Sequence, residues 1–133
     1  MIKWTLIISR WTLASLFILG GINKMISFSA TALRMESVGL APVAILLPIT
    51  IALEIGGGLL LASGSRFASF AGFALAFFTL ATNLFFHRFW SVDAALAPLE
   101  LSLFFKNVAI VGGLMFVSAT ILRDQASMQA IPQ

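Results

Sequence analysis

Six polar residues stand out in a chain that has few: Arg10, Glu54, Asn83, His87, Lys106 and Asn107. Glu54 lies in ALEIGGGLLL, residues 52–61, where every other residue is apolar or glycine. Arg10 interrupts WTLIISRWTLASLFILGG, residues 4–21, in the same way. A guanidinium and a carboxylate so placed can form a buried pair, because the fork of Arg engages both carboxylate oxygens and does not readily lose its proton. The other four suggest a different chemistry. Asn83 and His87 are four apart and share a helix face; Lys106 and Asn107 sit near the start of a later apolar run, and Phe85, Phe86, Phe104 and Phe105 flank the set. His87 is suited to take up a proton or to donate a hydrogen bond to a quinone carbonyl. A single His without any Cys makes no metal-ligand set, so no metal is expected.

These residues must be positioned by elements that sit in lipid. Apolar residues make up 60% of the 133 and charged ones 10%, against about 25% charged in soluble domains, and the mean hydropathy is +1.05. Thirteen Phe and no Tyr leave few polar handles for a wet surface. The net charge of +3 rests on eight scattered basic residues, which is no footprint for nucleic acid. The absence of Cys excludes disulfides and thiol redox chemistry within the chain.

Four runs approach the ~20 residues that span a bilayer, at about 4–22, 43–62, 67–86 and 104–122. Their hydrophobicity is continuous rather than alternating, which fits lipid-facing helices and not barrel strands. The expected fold is therefore all-α: one domain over 1–133, a four-helix transmembrane bundle with both termini on the same side and a flexible tail at 123–133. Arg10 splits the first run and no small-residue cleavage site follows LGGINK, so that run reads as a retained span rather than a signal peptide. SGSR (63–66) is a tight turn joining the second and third spans into a hairpin. The longer connection 23–42 has room for a short amphipathic helix with Ser29 as its N-cap. Trp4 and Trp90 fall at opposite interfaces. Lys3, Arg66 and Arg123 on the terminal side stand against Lys24, Arg34, Arg88 and Lys106 on the loop side, a balance that selects no orientation.

A rise of about 1.5 Å per residue puts Arg10 about 9 Å in from Trp4 and Glu54 about 13 Å in from the tight turn. Both depths are measured from the same side of the membrane, and a difference of about 4 Å is within reach of an Arg side chain, so Arg10 and Glu54 are expected to form a buried pair. Such a pair can simply fix one span against the next; alternatively, Glu54 takes up a proton or holds a polar ligand in a cavity between helices. Pro48 and the glycines 56–58 favour space and close approach there, although Gly58 with Ala62, and Ala68, Gly72 and Ala76 in the next span, read as ordinary helix packing. Lys24, Arg34 and Arg88 read as snorkelling side chains at helix ends. No nucleophile–base triad, phosphate-binding glycine loop, CxxC or haem-ligand pair is present.

Four stretches taken in order resemble the DoxX family: SRWTLASLFILGGINKMISF, with its Arg and G-x-x-K; LEIGGGLLLASGSRFAS, with its Glu-Gly-Gly, turn and Arg; ATNLFFHRFW, ending in H-x-x-W; and FFKNVAIVGGLMFVSA, opening on K-N. The resemblance covers residues 8 to 120 or so. It implies a multi-pass protein of the bacterial inner membrane, with the family's polar positions falling on Arg10, Lys24, Glu54, His87, Lys106 and Asn107. It further implies a membrane subunit or accessory of a quinone-linked redox complex, at most one part of an oxidoreductase, with quinone as the cofactor to test. Its partners would be the lipid bilayer, another redox subunit and further copies of itself. One His cannot supply the ligands of a haem–copper oxidase. A non-enzymatic membrane scaffold is the alternative, and a small-solute or proton pathway through Glu54 a third.

Overall fold

The structure is a computed structural model that describes residues 2–129. Among the described residues there are five α-helices and no strand: α1 (Ile2–Ile26), α2 (Phe28–Ser37), α3 (Val43–Ser63), α4 (Ala68–Phe86) and α5 (Ala97–Gln129). Helices α1, α3, α4 and α5 are long and apolar enough to cross a membrane. Even α4, with 19 residues, reaches about 28 Å at the usual helical rise. Their outer faces carry Phe70 and Phe77, each 76% exposed, together with Trp4, Leu19 and Phe116. So much apolar surface is stable only against hydrocarbon.

Helix α1 lies on α3, α3 and α4 form the hairpin, and α5 lies on α4 and closes against α1. The core joins all four: Ala14 and Phe17, Leu61 and Ala62, Leu75 and Ala76, Leu114 and Val117. Lipid is as apolar as these side chains, so close fit rather than escape from water holds the helices together. Small residues provide that fit. A methyl group at Gly58 would come within 2.8 Å of the Ile18 side chain and 3.1 Å of the Ala14 carbonyl oxygen, so α1 approaches α3 backbone to side chain there. Gly57, one residue earlier, faces Leu75 of α4 instead. In α4, Ala68, Gly72 and Ala76 form a buried row, with Gly72 making room for Ser118 of α5.

The hairpin turn ends α3 at Gly64, whose φ of 63° is left-handed, a conformation cheap only for glycine. Helix α3 stays α-helical through Pro48. Helix α2 forms within the connection where a short helix was expected, but its N-cap is Ser27 rather than Ser29. The Ser27 carbonyl accepts both the backbone N–H and the hydroxyl of Thr31, each at 2.9 Å, which fixes the start two residues earlier. Met35 of α2 packs on Val43, Leu47 and Ile51 of α3 as a second, smaller cluster. Helix α5 begins at Ala97, not near Phe104. The Asp93 carbonyl accepts from Leu96 and Ala97 at 2.9 and 3.0 Å, and Pro98 falls in the first turn, where its missing N–H costs nothing. At the other end the helix includes 123–129 of the expected tail; residues 130–133 lie outside the described part.

Candidate functional site

The helix register decides which charges meet. Gly20 and Gly21 of α1 face Glu54 and Ile55 of α3, Ala14 and Ile18 face Gly58, and Arg10 faces Gly64. Glu54 is therefore opposite Gly20 and Gly21, and its carboxylate lies where a Gly20 side chain would otherwise point. Lys24, one turn further along α1, reaches back and donates to Glu54 Oε1 at 2.9 Å and Oε2 at 2.8 Å. The Glu54 side chain is 8% exposed and that of Lys24 29%, so the acid is in the protein and the ammonium at its edge.

The expected Arg10–Glu54 pair does not form. Arg10 packs its guanidinium over the turn at Gly64, ten residues from Glu54 and so about 15 Å away along the axis. Trp4 does not share a level with the hairpin turn, as the expected pairing requires. Helix α1 instead extends about two turns past that turn, which carries Arg10 down to Gly64 and brings Lys24 to Glu54.

Beside the Lys24–Glu54 pair lies a cavity of about 330 Å³. Asn23 and Lys24 of α1, Thr31, Arg34 and Met35 of α2, Leu40 of the connection that follows it, Thr50 and Glu54 of α3, Phe78, Thr82 and Phe86 of α4, and His87 at its C-cap line it. The Arg34 guanidinium stands 5.9 Å from the Phe86 ring centroid, within cation–π range. His87 Nδ1 is 2.8 Å from Glu100 Oε2 in the first turn of α5. Because a carboxylate only accepts, that contact assigns the proton to Nδ1 and leaves Nε2 as the other functional nitrogen. Lys24 has three donors and spends two on Glu54, so one N–H remains for whatever shares the cavity.

The residues expected to act together thus separate. Glu54 and His87 reach the cavity. Asn83, only 1% exposed, donates to the Phe104 carbonyl at 3.1 Å and accepts from Asn107 Nδ2 at 3.0 Å. The two amides tie α4 to α5 and line no part of the cavity. Lys106 is exposed and also absent from its wall. By sequence Lys24 and Arg34 read as snorkelling ends, and Glu100 does not stand out. The G-x-x-K stretch was the one signal for Lys24; for Glu100, thirteen residues from its partner across a loop, none was available.

The model of the family described as DoxX matches residues 5–88, which includes every residue lining this cavity. The chain belongs to the DoxX family. Among curated proteins, this DoxX chain is similar to two inner membrane proteins of Escherichia coli. It is 29% identical to YphA over 116 residues, covering 86% of this chain and 81% of that protein. It is 32% identical to YqjF over 114 residues, covering 86% and 82%. No solved structure matches it significantly. With its four membrane-crossing helices, this DoxX protein is an integral, multi-pass protein of the inner membrane.

Proposed function

We propose that this DoxX protein is a membrane subunit or accessory of a quinone-linked redox complex, and that the cavity beside Lys24 and Glu54 receives the quinone head group. One observation carries the reading: two cationic donors, Lys24 and Arg34, and the imidazole of His87 converge from three elements on one cavity with aromatic walls at Phe78 and Phe86. A quinone ring presents two carbonyl acceptors in a flat apolar frame, which such a lining fits. The volume falls within the ~300–1,000 Å³ usual for small-molecule sites. A bound quinone would supply two-electron chemistry that no side chain here provides. The chain's own part would be to hold the ring, exclude water, and keep proton-exchanging groups, Glu54 and His87, at hand. Lys106, in the expected set, has no part in this version of the site.

Titrating the purified full chain with a short-chain ubiquinone tests it. Saturable binding that weakens about tenfold in His87→Ala or Arg34→Ala, and is unchanged in Lys106→Ala, supports the site. No saturable binding, or equal loss in all three variants, would remove it.

One feature favours a purely structural reading. Glu54 has both oxygens engaged by Lys24, and Asn83 is engaged at its oxygen by Asn107 and at its nitrogen by the Phe104 carbonyl, so these two residues need no ligand. A scaffold predicts that replacing Lys24 and Glu54 together by Met leaves host function intact in any variant that folds.

A further inference from the structure

At the other end of α1 a second cavity, of about 340 Å³, is lined by Lys3, Leu6, Ile7, Arg10 and Asp124. The four α1 residues follow the i, i+3, i+4, i+7 spacing of one helical face. Arg10 Nε is buried and bonds to no group among the described residues. A guanidinium keeps its charge at any accessible pH, so a buried N–H of it without a partner is costly. Asp124, the carboxylate on this cavity, is itself 3.6 Å from Arg123 and largely exposed. Two cations against one shared acid leave the cavity positive.

We propose that Lys3 and Arg10 form a site for the phosphate group of an anionic phospholipid. The depth is right for a head group. Trp4 and Trp11, each next to one of the two cations in sequence, are 68% and 56% exposed, and exposed indoles settle where hydrocarbon meets the polar layer. Arg10 lies level with the Gly64 turn, so the cavity opens where the hairpin ends rather than at mid-membrane. Leu6 and Ile7 offer an acyl chain an apolar seat directly beside the charges. The Arg fork matches two phosphate oxygens, and Lys3 adds a point charge. A basic recess between spanning helices at the level of the head groups is a recurrent lipid-recognition device. The site is independent of the quinone cavity, about 21 Å away along α1 between Arg10 and Lys24.

The test is native mass spectrometry of the full chain released from micelles holding equal phosphatidylglycerol and phosphatidylcholine. Wild type is expected to retain phosphatidylglycerol over phosphatidylcholine by about tenfold, from two cations partly offset by one acid. Lys3→Gln, an exposed position that leaves packing alone, should cut that preference about threefold, and Lys3→Gln with Arg10→Gln should abolish it in protein whose helicity by circular dichroism is unchanged. Lys106→Gln, removing an exposed cation elsewhere, should leave it intact, and excess inorganic phosphate should not displace the lipid. Equal retention of the two lipids by wild type overturns the proposal. So does an unchanged preference in both Lys3 variants, or a loss in Lys106→Gln as large as in Lys3→Gln. Displacement by inorganic phosphate would assign the cavity to a free anion and overturn the lipid assignment.

Discussion

Lys24 holds both oxygens of Glu54, at 2.9 and 2.8 Å, from thirty residues away in sequence and from the neighbouring helix. The arrangement matches a flexible ammonium at the protein edge to a carboxylate within it. It also links the last turns of α1 to the middle of α3, and so forms one wall of the polar cavity.

Removing one partner should therefore cost far more than removing both. Lys24→Met leaves a buried carboxylate uncompensated and is expected to destabilise the bundle by about 3 kcal/mol. Lys24→Met with Glu54→Met should restore most of that. Denaturant unfolding in mixed micelles measures both; equal losses in the single and double variants would contradict the pairing.

Arg10 and Glu54 should behave as strangers. At about 15 Å along the axis their substitutions should add to within ~0.5 kcal/mol, whereas Lys24 and Glu54 should couple by more than about 1 kcal/mol. Comparing the two double-mutant cycles in the same detergent decides which cation serves the acid.

Gly64 is held twice, by its positive φ and by the Arg10 guanidinium packed where a side chain would go. Gly64→Ala should lower stability by about 1–2 kcal/mol. Pairing it with Arg10→Ala should recover part of the loss, because only the steric component is relieved. Thermal unfolding followed by circular dichroism reads the difference.

Asn83 and Asn107 are a closed set between α4 and α5. Asn83→Leu strands Asn107 Nδ2 and should cost about 1–3 kcal/mol. Asn83→Leu with Asn107→Leu should cost less than the sum of the singles. Neither should alter the proposed quinone binding, since neither side chain lines that cavity.

The fold was legible to the extent that its determinants are local. Uninterrupted apolar runs of bilayer length, SGSR between two of them and small residues in rows are properties of contiguous sequence, and they specify four spanning helices, a hairpin and where helices pack closely. The boundaries at Ser27 and Ala97 were less readable, because there a backbone carbonyl rather than a side-chain cap sets the helix start.

The candidate site was legible only as a set of residue types. Glu54 announces itself as an acid that must be neutralised, but Arg10 and Lys24 lie on the same helix and are equally able to do it. Which one succeeds depends on how far α1 slides along α3, and that slide is set by Gly58 admitting Ile18 and the Ala14 backbone. A shift of about three turns would bring Arg10 to Glu54 in place of Lys24, since each turn moves a side chain about 5.4 Å. Composition and periodicity carry no record of that offset between helices; it exists only once the two surfaces have been fitted together.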